Sequence, residues 1–195
     1  MAYGRIIPGL TIDGVPAPYG VVNEREIRAA AGLMFAVGLI ALLSVYYDRN
    51  VQLAFWVVLA FWVDFVLKVA IGPEWSYIGR VAGLLVRRQR PEYVGAIQKR
   101  FAWSIGLVLS SIVLFFLARI VLNPACTDAG VAGTSPCLIP MILCGTCLVF
   151  MWLESAAGIC VGCNIYAWLT KKGFVQRPEY APACPGGVCS VDKKR

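Results

Sequence analysis

The sequence predicts an all-α integral membrane protein with four transmembrane helices. Apolar residues make up 59% of its 195 residues and charged residues only 15%, whereas soluble proteins contain about 25% charged residues. Four apolar stretches reach the roughly 20 residues that a helix needs to cross a bilayer. They extend over residues 27–47, 51–72, 101–123 and 138–170. We therefore expect a four-helix membrane domain over residues 27–172.

The segments on either side of this domain are predicted to be tails. Residues 1–26 lack the continuous apolar run of a secretory signal. Lysine and arginine concentrate in the connection between spans two and three and after span four, and such residues mark the cytoplasmic side of a membrane. Both termini, including the cysteine-containing tail 173–195, are therefore expected in the cytoplasm. The same bias accounts for the net charge of +7 without a nucleic-acid surface.

Matching segments in the same order indicate two tandem repeats of two helices each. Residues 62–64 correspond to 152–154, and residues 90–93 correspond to 177–180. Repeats with an even number of spans run in parallel, related by an axis along the membrane normal. Between the halves, an amphipathic helix on the cytoplasmic surface is predicted. Its apolar face comprises Trp75, Ile78, Ala82 and Leu85.

Four charged residues are expected inside the membrane, where a charge costs on the order of 3 kcal/mol on insertion scales. Lys68 follows Asp64 by four residues, so the two share a helix face and an internal ion pair is predicted. Glu154 has no such neighbour in its own helix. Two alternatives remain for Glu154: pairing with Arg119, or protonation and a role in proton transfer beside thiols.

All eight cysteines lie beyond residue 125, and histidine is absent. The absence of histidine excludes imidazole-ligated haem and Ser-His or Cys-His dyads. Cys126 and Cys137 bound a loop on the outer side, where a disulfide is expected. Cys144 and Cys147 lie within the fourth span. They are either inert packing residues or part of a relay from the loop disulfide inward.

Two further cysteine pairs lie close together at the cytoplasmic face. Cys160 and Cys163 project from one side of a helix, and Cys184 and Cys189 follow in the tail. The 20 residues between the pairs are long enough to fold back, since extended chain covers about 3.3 Å per residue. The pairs can exchange thiols, transfer sulfur, or hold a soft metal together.

The activation of the inner pair depends on where its helix ends. In one continuous fourth helix, Cys160 and Cys163 approach the C-terminus, where the helix dipole opposes a thiolate. A break at Gly158 or Gly162 would reverse that effect. Four thiolates from Cys160, Cys163, Cys184 and Cys189 would also suit Zn, Cu(I) or an iron-sulfur cluster. Structural or unpaired thiols are the third alternative.

Several motifs resemble a bacterial membrane-protein family named domain of unknown function forty-three ninety-five (DUF4395). They are residues 22–32, 99–107, 154–166 and the tail motif 184–189. The resemblance implies a small protein of the bacterial inner membrane with no established activity, and a link to thioredoxin-like or sulfurtransferase proteins. The family motifs carry over to Cys160 and Cys163 and to Cys184 and Cys189, and not to the cysteines between residues 126 and 147.

Together these features predict a relay of thiols or sulfane sulfur at the cytoplasmic face. Cys160 and Cys163 would form the reactive pair, Cys184 and Cys189 a mobile carrier pair, and Glu154 a proton acceptor. The sequence fixes no cofactor, and the candidates are Zn, Cu(I) or an iron-sulfur cluster. The alternative is a non-catalytic accessory or assembly subunit of a larger membrane complex, in which the cysteines hold a metal or form structural disulfides.

Overall fold

A computed structural model describes residues 3–12, 15–16, 18–122 and 135–175. Within these residues, four helical segments are long and apolar enough to cross a membrane: Glu24–Asp48, Val51–Ile71, Ala96–Leu122 and Ile139–Ala157. The predicted number of four spans is confirmed by the length and apolar composition of these helices. Two shorter helices, Tyr77–Val86 and Val161–Lys172, follow the second and fourth spans.

Helices α1 (Glu24–Asp48) and α2 (Val51–Val66) are joined by a tight turn. Asn23 caps α1 by accepting a hydrogen bond from the N–H of Arg25, and Asn50 caps α2 by accepting one from Leu53. Arg49 between the helices adopts the left-handed conformation, with φ 54°. Asparagine caps satisfy N–H groups that the first helical turn leaves unpaired. The two helices therefore form a close hairpin.

Helix α2 continues into a π-helical turn, π1 (Leu67–Ile71), before the chain reaches α3 (Tyr77–Val86). Ser76 caps α3 by accepting a hydrogen bond from Gly79 N–H at 2.7 Å. Helix α3 packs against α1 through its fully buried Ala82. The apolar face predicted for this helix is only partly buried. Ala82 is fully buried, but Trp75 is 57% and Leu85 63% exposed.

A two-stranded antiparallel ribbon ties the two halves of the chain together. Strand β3 (Val21–Asn23) pairs with β4 (Tyr93–Gly95), with Val22 opposite Val94. Strand β3 leads directly into α1, and β4 into α4 (Ala96–Leu122). Both helices thus begin at the same end of the bundle, which we call the ribbon end. A second short hairpin pairs β1 (Thr11–Ile12) with β2 (Val15–Pro16).

Described residues of the N-terminal segment, for which the sequence predicts a tail over residues 1–26, contact the helices and the ribbon. Arg5 pairs with Val21 through two backbone hydrogen bonds of 3.0 Å, and the ring of Tyr3 lies 6.5 Å from that of Trp103. Helices α1 and α4 also begin earlier than predicted. Their first turns contain Glu24 and Lys99, which are buried because they pair with each other. A hydropathy profile does not detect helical turns in which charged residues are buried as an ion pair.

The predicted fourth span over residues 138–170 is in fact two helices. Helix α5 (Ser135–Trp152) continues into a π turn, π2 (Leu153–Ala157), and α6 (Val161–Lys172) starts anew. The chain breaks at Gly158, which has φ 68°, a conformation that glycine adopts without a steric penalty. Because α5 begins at Ser135, Cys137 lies in its first turn and not in a loop as predicted. Residues 123–134 lie outside the described residues.

The described part of the bundle has two main core clusters, and Cys160 and Cys163 form a third, smaller one. Helix α4 packs against α2, α5 and α6, while α1 packs against α2, α3 and α5. One cluster lies at the ribbon end and the other towards the opposite end. The ribbon-end cluster comprises Val22, Met34, Phe65, Val94, Ala96 and Trp103. The opposite cluster comprises Ala41, Val45, Ala54, Val113 and Leu117.

Helix α6 approaches α4 closely at Gly162, and this contact yields a testable prediction. A Cβ at Gly162 would lie 2.5 Å from Cβ of Ala102 and 2.6 Å from its Cα. We expect Gly162→Ala to push α6 away from α4 and to lower the free energy of unfolding by about 1–3 kcal/mol. Thermal unfolding of the purified protein in detergent measures this.

Gly145→Ala in α5 is the matched control, since a Cβ there meets no atom within 4 Å. The higher helix propensity of alanine should leave its stability equal to wild type or up to about 1 kcal/mol higher. Equal losses in both variants would contradict the close packing of α6 on α4.

Candidate functional site

Cys160 and Cys163 lie at the N-terminus of α6, and not near a helix C-terminus as a continuous fourth span predicted. Cys160 is the N-cap residue, and its Sγ accepts a hydrogen bond from the Cys163 N–H at 3.4 Å. Both residues are buried, at 7% and 3% exposure. The break at Gly158 therefore reverses the expected dipole effect, because a helix N-terminus favours negative charge on a thiol.

Other influences act on Cys160 in the opposite direction. A hydrogen bond between the two thiol side chains, burial and the negative charge of Glu154 raise the pKa of Cys160 well above its ordinary value. The ammonium of Lys99 lowers that pKa, with a smaller effect. Cys160 is therefore held as a protonated thiol, and a group that takes its proton would activate it.

A buried ion network adjoins the thiols. Lys99 Nζ lies 2.9 Å from Glu24 Oε2 and 2.8 Å from Glu154 Oε1. Lys99 and Glu24 are 1% and 2% exposed, while Glu154 is 19% exposed. One ammonium thus joins α1, α4 and π2. Burial of Glu24 beside the half-buried Glu154 is tolerable only because one cation pairs with both carboxylates.

Arg28 completes this network from α1. Its guanidinium donates hydrogen bonds to the backbone carbonyls of Ser155 at 3.3 and 3.4 Å and of Ala156 at 3.4 Å. These carbonyls belong to π2, where the helix loses its regular bonding pattern. The positive charge of Arg28 also acts on Glu24. With Lys99, Glu24 and Glu154, Arg28 makes a charge-balanced group.

The structure shows which parts of this network the sequence analysis missed. The sequence predicts a tail around Glu24 and places Lys99 before the third span, whereas the structure buries both residues. The pairing considered between Glu154 and Arg119 does not form. Arg119 is exposed and lies 20 residues beyond Lys99 on α4, about 30 Å along the helix. The sequence feature that could have indicated the role of Lys99 is its position, with Arg100, directly before an apolar stretch.

Asp64 and Lys68 form the ion pair that their spacing predicts, at 2.7 Å. Asp64 is fully buried and accepts hydrogen bonds from the Ser76 hydroxyl at 2.7 Å and the Ile78 N–H at 3.2 Å. Lys68 also lies 5.6 Å from the ring centres of Phe65 and Trp103. With these contacts the pair fixes the start of α3 against α2.

Two cavities meet at this end of the bundle. An apolar cavity of about 190 Å³ lies between α1, α2, α4 and α5, and a second, more polar cavity of about 510 Å³ lies at the ribbon end. Glu154 and Trp103 line both cavities. Cys144, Cys147 and Cys160 line the apolar one. Cys144 and Cys147 are half-buried free thiols in α5.

Several predicted residues fall outside what the structure describes. Cys126, Cys184 and Cys189 lie in residues 123–134 and 176–195, and the side chain of Cys137 is not described. The disulfide between Cys126 and Cys137 and the tail thiols therefore stay predictions. Within the described ranges, no three Cys, Asp or Glu residues are grouped so as to hold a metal ion. A metal site with tail ligands also stays a prediction.

Comparison with known protein families finds a match over most of the chain. The model of a family described as a domain of unknown function (DUF4395) matches residues 22–171. No curated protein and no solved structure matches the chain. The matched range includes the ion network and both thiols of α6, and it ends before the tail cysteines.

Proposed function

The chain belongs to the DUF4395 family, a domain of unknown function, and from the structure of the site we propose that Cys160 and Cys163 form a dithiol that exchanges with disulfides at the cytoplasmic face of the bacterial inner membrane. In this reaction two protein thiols and a substrate disulfide become one protein disulfide and two substrate thiols. Cys160 attacks as thiolate, and Cys163 then displaces the substrate sulfur from the mixed disulfide. The observation that supports this proposal is that Cys160 is the N-cap residue of α6.

A comparison with the first half of the chain supports a chemical role for Cys160. Both π turns are followed by a glycine, at Gly72 and Gly158, and then by a capped helix. The cap is Ser76 in α3 and Cys160 in α6. Serine is among the preferred N-cap residues and cysteine is not. Capping alone therefore gives no reason for a thiol at Cys160.

The arginine contacts relate the two halves in a similar way, with π1 and π2 offset by 86 residues, where the tandem repeat predicted from residues 62–64 and 152–154 has an offset of 90. Arg28 of α1 donates to the carbonyl of Ser155, the third residue of π2. Arg100 of α4 donates at 3.1 Å to the carbonyl of Val69, the third residue of π1. Each half thus binds the π turn of the other through an equivalent contact. If the two repeats diverged at the N-cap residue, thiol chemistry would be found only in the second half, which has a cysteine there.

Glu154 is the proposed proton acceptor for Cys160. Its charge acts directly on Cys160, and it lines the polar cavity through which water can exchange protons. Lys99 holds the Glu154 carboxylate in place at 2.8 Å. As Cys160 loses its proton, Lys99 also offsets the new negative charge, since opposite charges within a few ångströms favour the ionised form.

The exchange partner is proposed to be the tail pair Cys184 and Cys189 or a thioredoxin-like protein. Lys171 and Lys172 are exposed in the last turn of α6, and basic residues at the end of a span favour a cytoplasmic location. Exposed Val81 and Leu84 of α3, with exposed Trp75 just before this helix, support the proposal that α3 lies at the membrane surface. A partner would then approach from the same side as α3 and α6.

Oxidation by glutathione disulfide tests the proposed exchange. Reduced protein in detergent is incubated with glutathione disulfide, and each thiol is then quantified by differential alkylation and mass spectrometry. We expect Cys160 and Cys163 to be lost together as one intramolecular disulfide, before Cys144 and Cys147 react. Retention of free Cys160 and Cys163 while Cys144 and Cys147 oxidise would overturn the proposal.

A further inference from the structure

Helix α3 runs along α1 towards the ribbon end. At its start, the Ile78 N–H donates to Asp64 Oδ1 at 3.2 Å. Asp64 lies seven residues before Ile71, where π1 ends, which is about 10 Å along the helix. Near the other end of α3, a Cβ at Gly83 would lie 3.7 Å from the carboxyl carbon of Glu26, in the first turn of α1. Helix α3 therefore begins below the end of π1 and reaches the level at which α1 begins.

The side of α3 that faces away from the bundle is apolar. Ala82 is fully buried on the side towards α1, whereas Val81, Leu84 and Leu85 are exposed. Their spacing of three and four residues places these three side chains on one face of the helix. We call them the outer stripe. An apolar face of this kind at the edge of a membrane protein is stabilised by contact with lipid acyl chains.

Three exposed arginines follow the outer stripe where α3 ends: Arg87, Arg88 and Arg90. Arg87 is the C-cap residue of α3, and Arg88 continues the three- and four-residue spacing of the outer stripe. Within the part of the chain that the structure describes, none of the three guanidinium groups forms an ion pair or a side-chain hydrogen bond. The acidic residue nearest to them in sequence, Glu92, is paired with Arg25. The three guanidinium groups are thus available to an external anion.

We propose that the end of α3 binds an anionic phospholipid, with its headgroup at Arg87, Arg88 and Arg90 and an acyl chain along the outer stripe. The order of the two parts along α3 matches such a lipid, because the apolar stripe lies at the level of the spans and the cations lie where α1 begins. Arginine binds phosphate oxygens through paired N–H donors. Each basic residue near an anionic lipid surface strengthens association about fivefold. This inference does not depend on the dithiol function.

A soluble polyanion is the competing occupant, and the outer stripe argues against it. An acidic peptide would bind the three arginines equally well but would leave Val81, Leu84 and Leu85 in water. Removing apolar surface from water is favourable in proportion to the area removed. A phospholipid covers the cations and the outer stripe together, and its two parts are joined in the order in which α3 presents them.

Lipid binding to the purified full chain in detergent tests this inference. Native mass spectrometry measures the binding of dioleoylphosphatidylglycerol and of dioleoylphosphatidylcholine, which have the same acyl chains and differ in the net charge of the headgroup. We expect wild type to bind phosphatidylglycerol about tenfold more tightly or better. The double variant Arg87→Gln, Arg88→Gln should weaken phosphatidylglycerol binding by about tenfold or more, and phosphatidylcholine binding much less.

Lys171→Gln, Lys172→Gln is the matched control, because it also removes two neighbouring exposed cations from the end of a short helix that follows a π turn. It should bind phosphatidylglycerol like wild type. Leu84→Ser, Leu85→Ser should weaken the binding of both lipids to the same extent. Equal affinity of wild type for the two lipids, or equal losses in the arginine and lysine variants, would overturn the inference. Binding of polyglutamate at the arginines without any bound phosphatidylglycerol would also overturn it.

Discussion

Replacing Lys99 with methionine should cause the largest loss of stability among single substitutions in the ion network. Lys99 Nζ neutralises Glu24 and Glu154 at 2.9 and 2.8 Å, and its side chain is 1% exposed. Removing it leaves two carboxylates in a buried site without their shared cation. Breaking a buried ion pair in this way costs about 3–5 kcal/mol. Thermal or denaturant unfolding in detergent measures the loss.

Two variants control this experiment. Lys171→Met removes a positive charge from an exposed position at the end of α6, so its stability should stay within about 0.5 kcal/mol of wild type. The triple variant Lys99→Met, Glu24→Gln, Glu154→Gln removes all three charges, and it should recover part of the loss. A Lys99→Met variant as stable as Lys171→Met would show that the network is not a structural element.

The second large effect concerns the two thiols, which should fail in different ways. In Cys163→Ser, Cys160 still attacks a disulfide but nothing displaces the bound thiol, so a mixed disulfide with glutathione should accumulate. In Cys160→Ser, the attacking group is absent and the mixed disulfide should not form. Intact mass spectrometry after incubation with glutathione disulfide distinguishes the two.

Stability separates the chemical role of Cys160 from its role as a cap. Serine is a better N-cap residue than cysteine, and Ser76 is the N-cap of α3, the α-helix that follows π1. Cys160→Ser should therefore unfold at the same temperature as wild type or higher, although its exchange is lost. Loss of exchange together with unfolding would indicate that the thiol is structural.

Much of the fold could be predicted because apolar length alone identifies membrane spans. The four spans and the Asp64–Lys68 ion pair follow from hydropathy and from i,i+4 spacing. The break after Ala157 did not follow, because Gly158 lies in an apolar stretch that reads equally well as one long helix. Only the close contact between Gly162 and Ala102 and the left-handed Gly158 distinguish the two structures.

The candidate site was predicted only in part for a related reason. Cys160, Cys163 and Glu154 were identified because their residue types are unusual in an apolar helix. Lys99 and Glu24 were missed because they precede their spans and look like ordinary charges at a membrane surface. Their burial depends on the ribbon of β3 and β4, which brings the starts of α1 and α4 together across about 70 residues of sequence.

The measurement that tests the account most directly is the metal and thiol content of anaerobically purified protein. Elemental analysis is combined with mass spectrometry of differentially alkylated Cys160, Cys163, Cys184 and Cys189. The account predicts metal-free protein in which Cys160 and Cys163 interconvert between dithiol and disulfide. One equivalent of zinc, copper or iron with these thiols protected from alkylation would contradict it and favour a metal-holding accessory subunit.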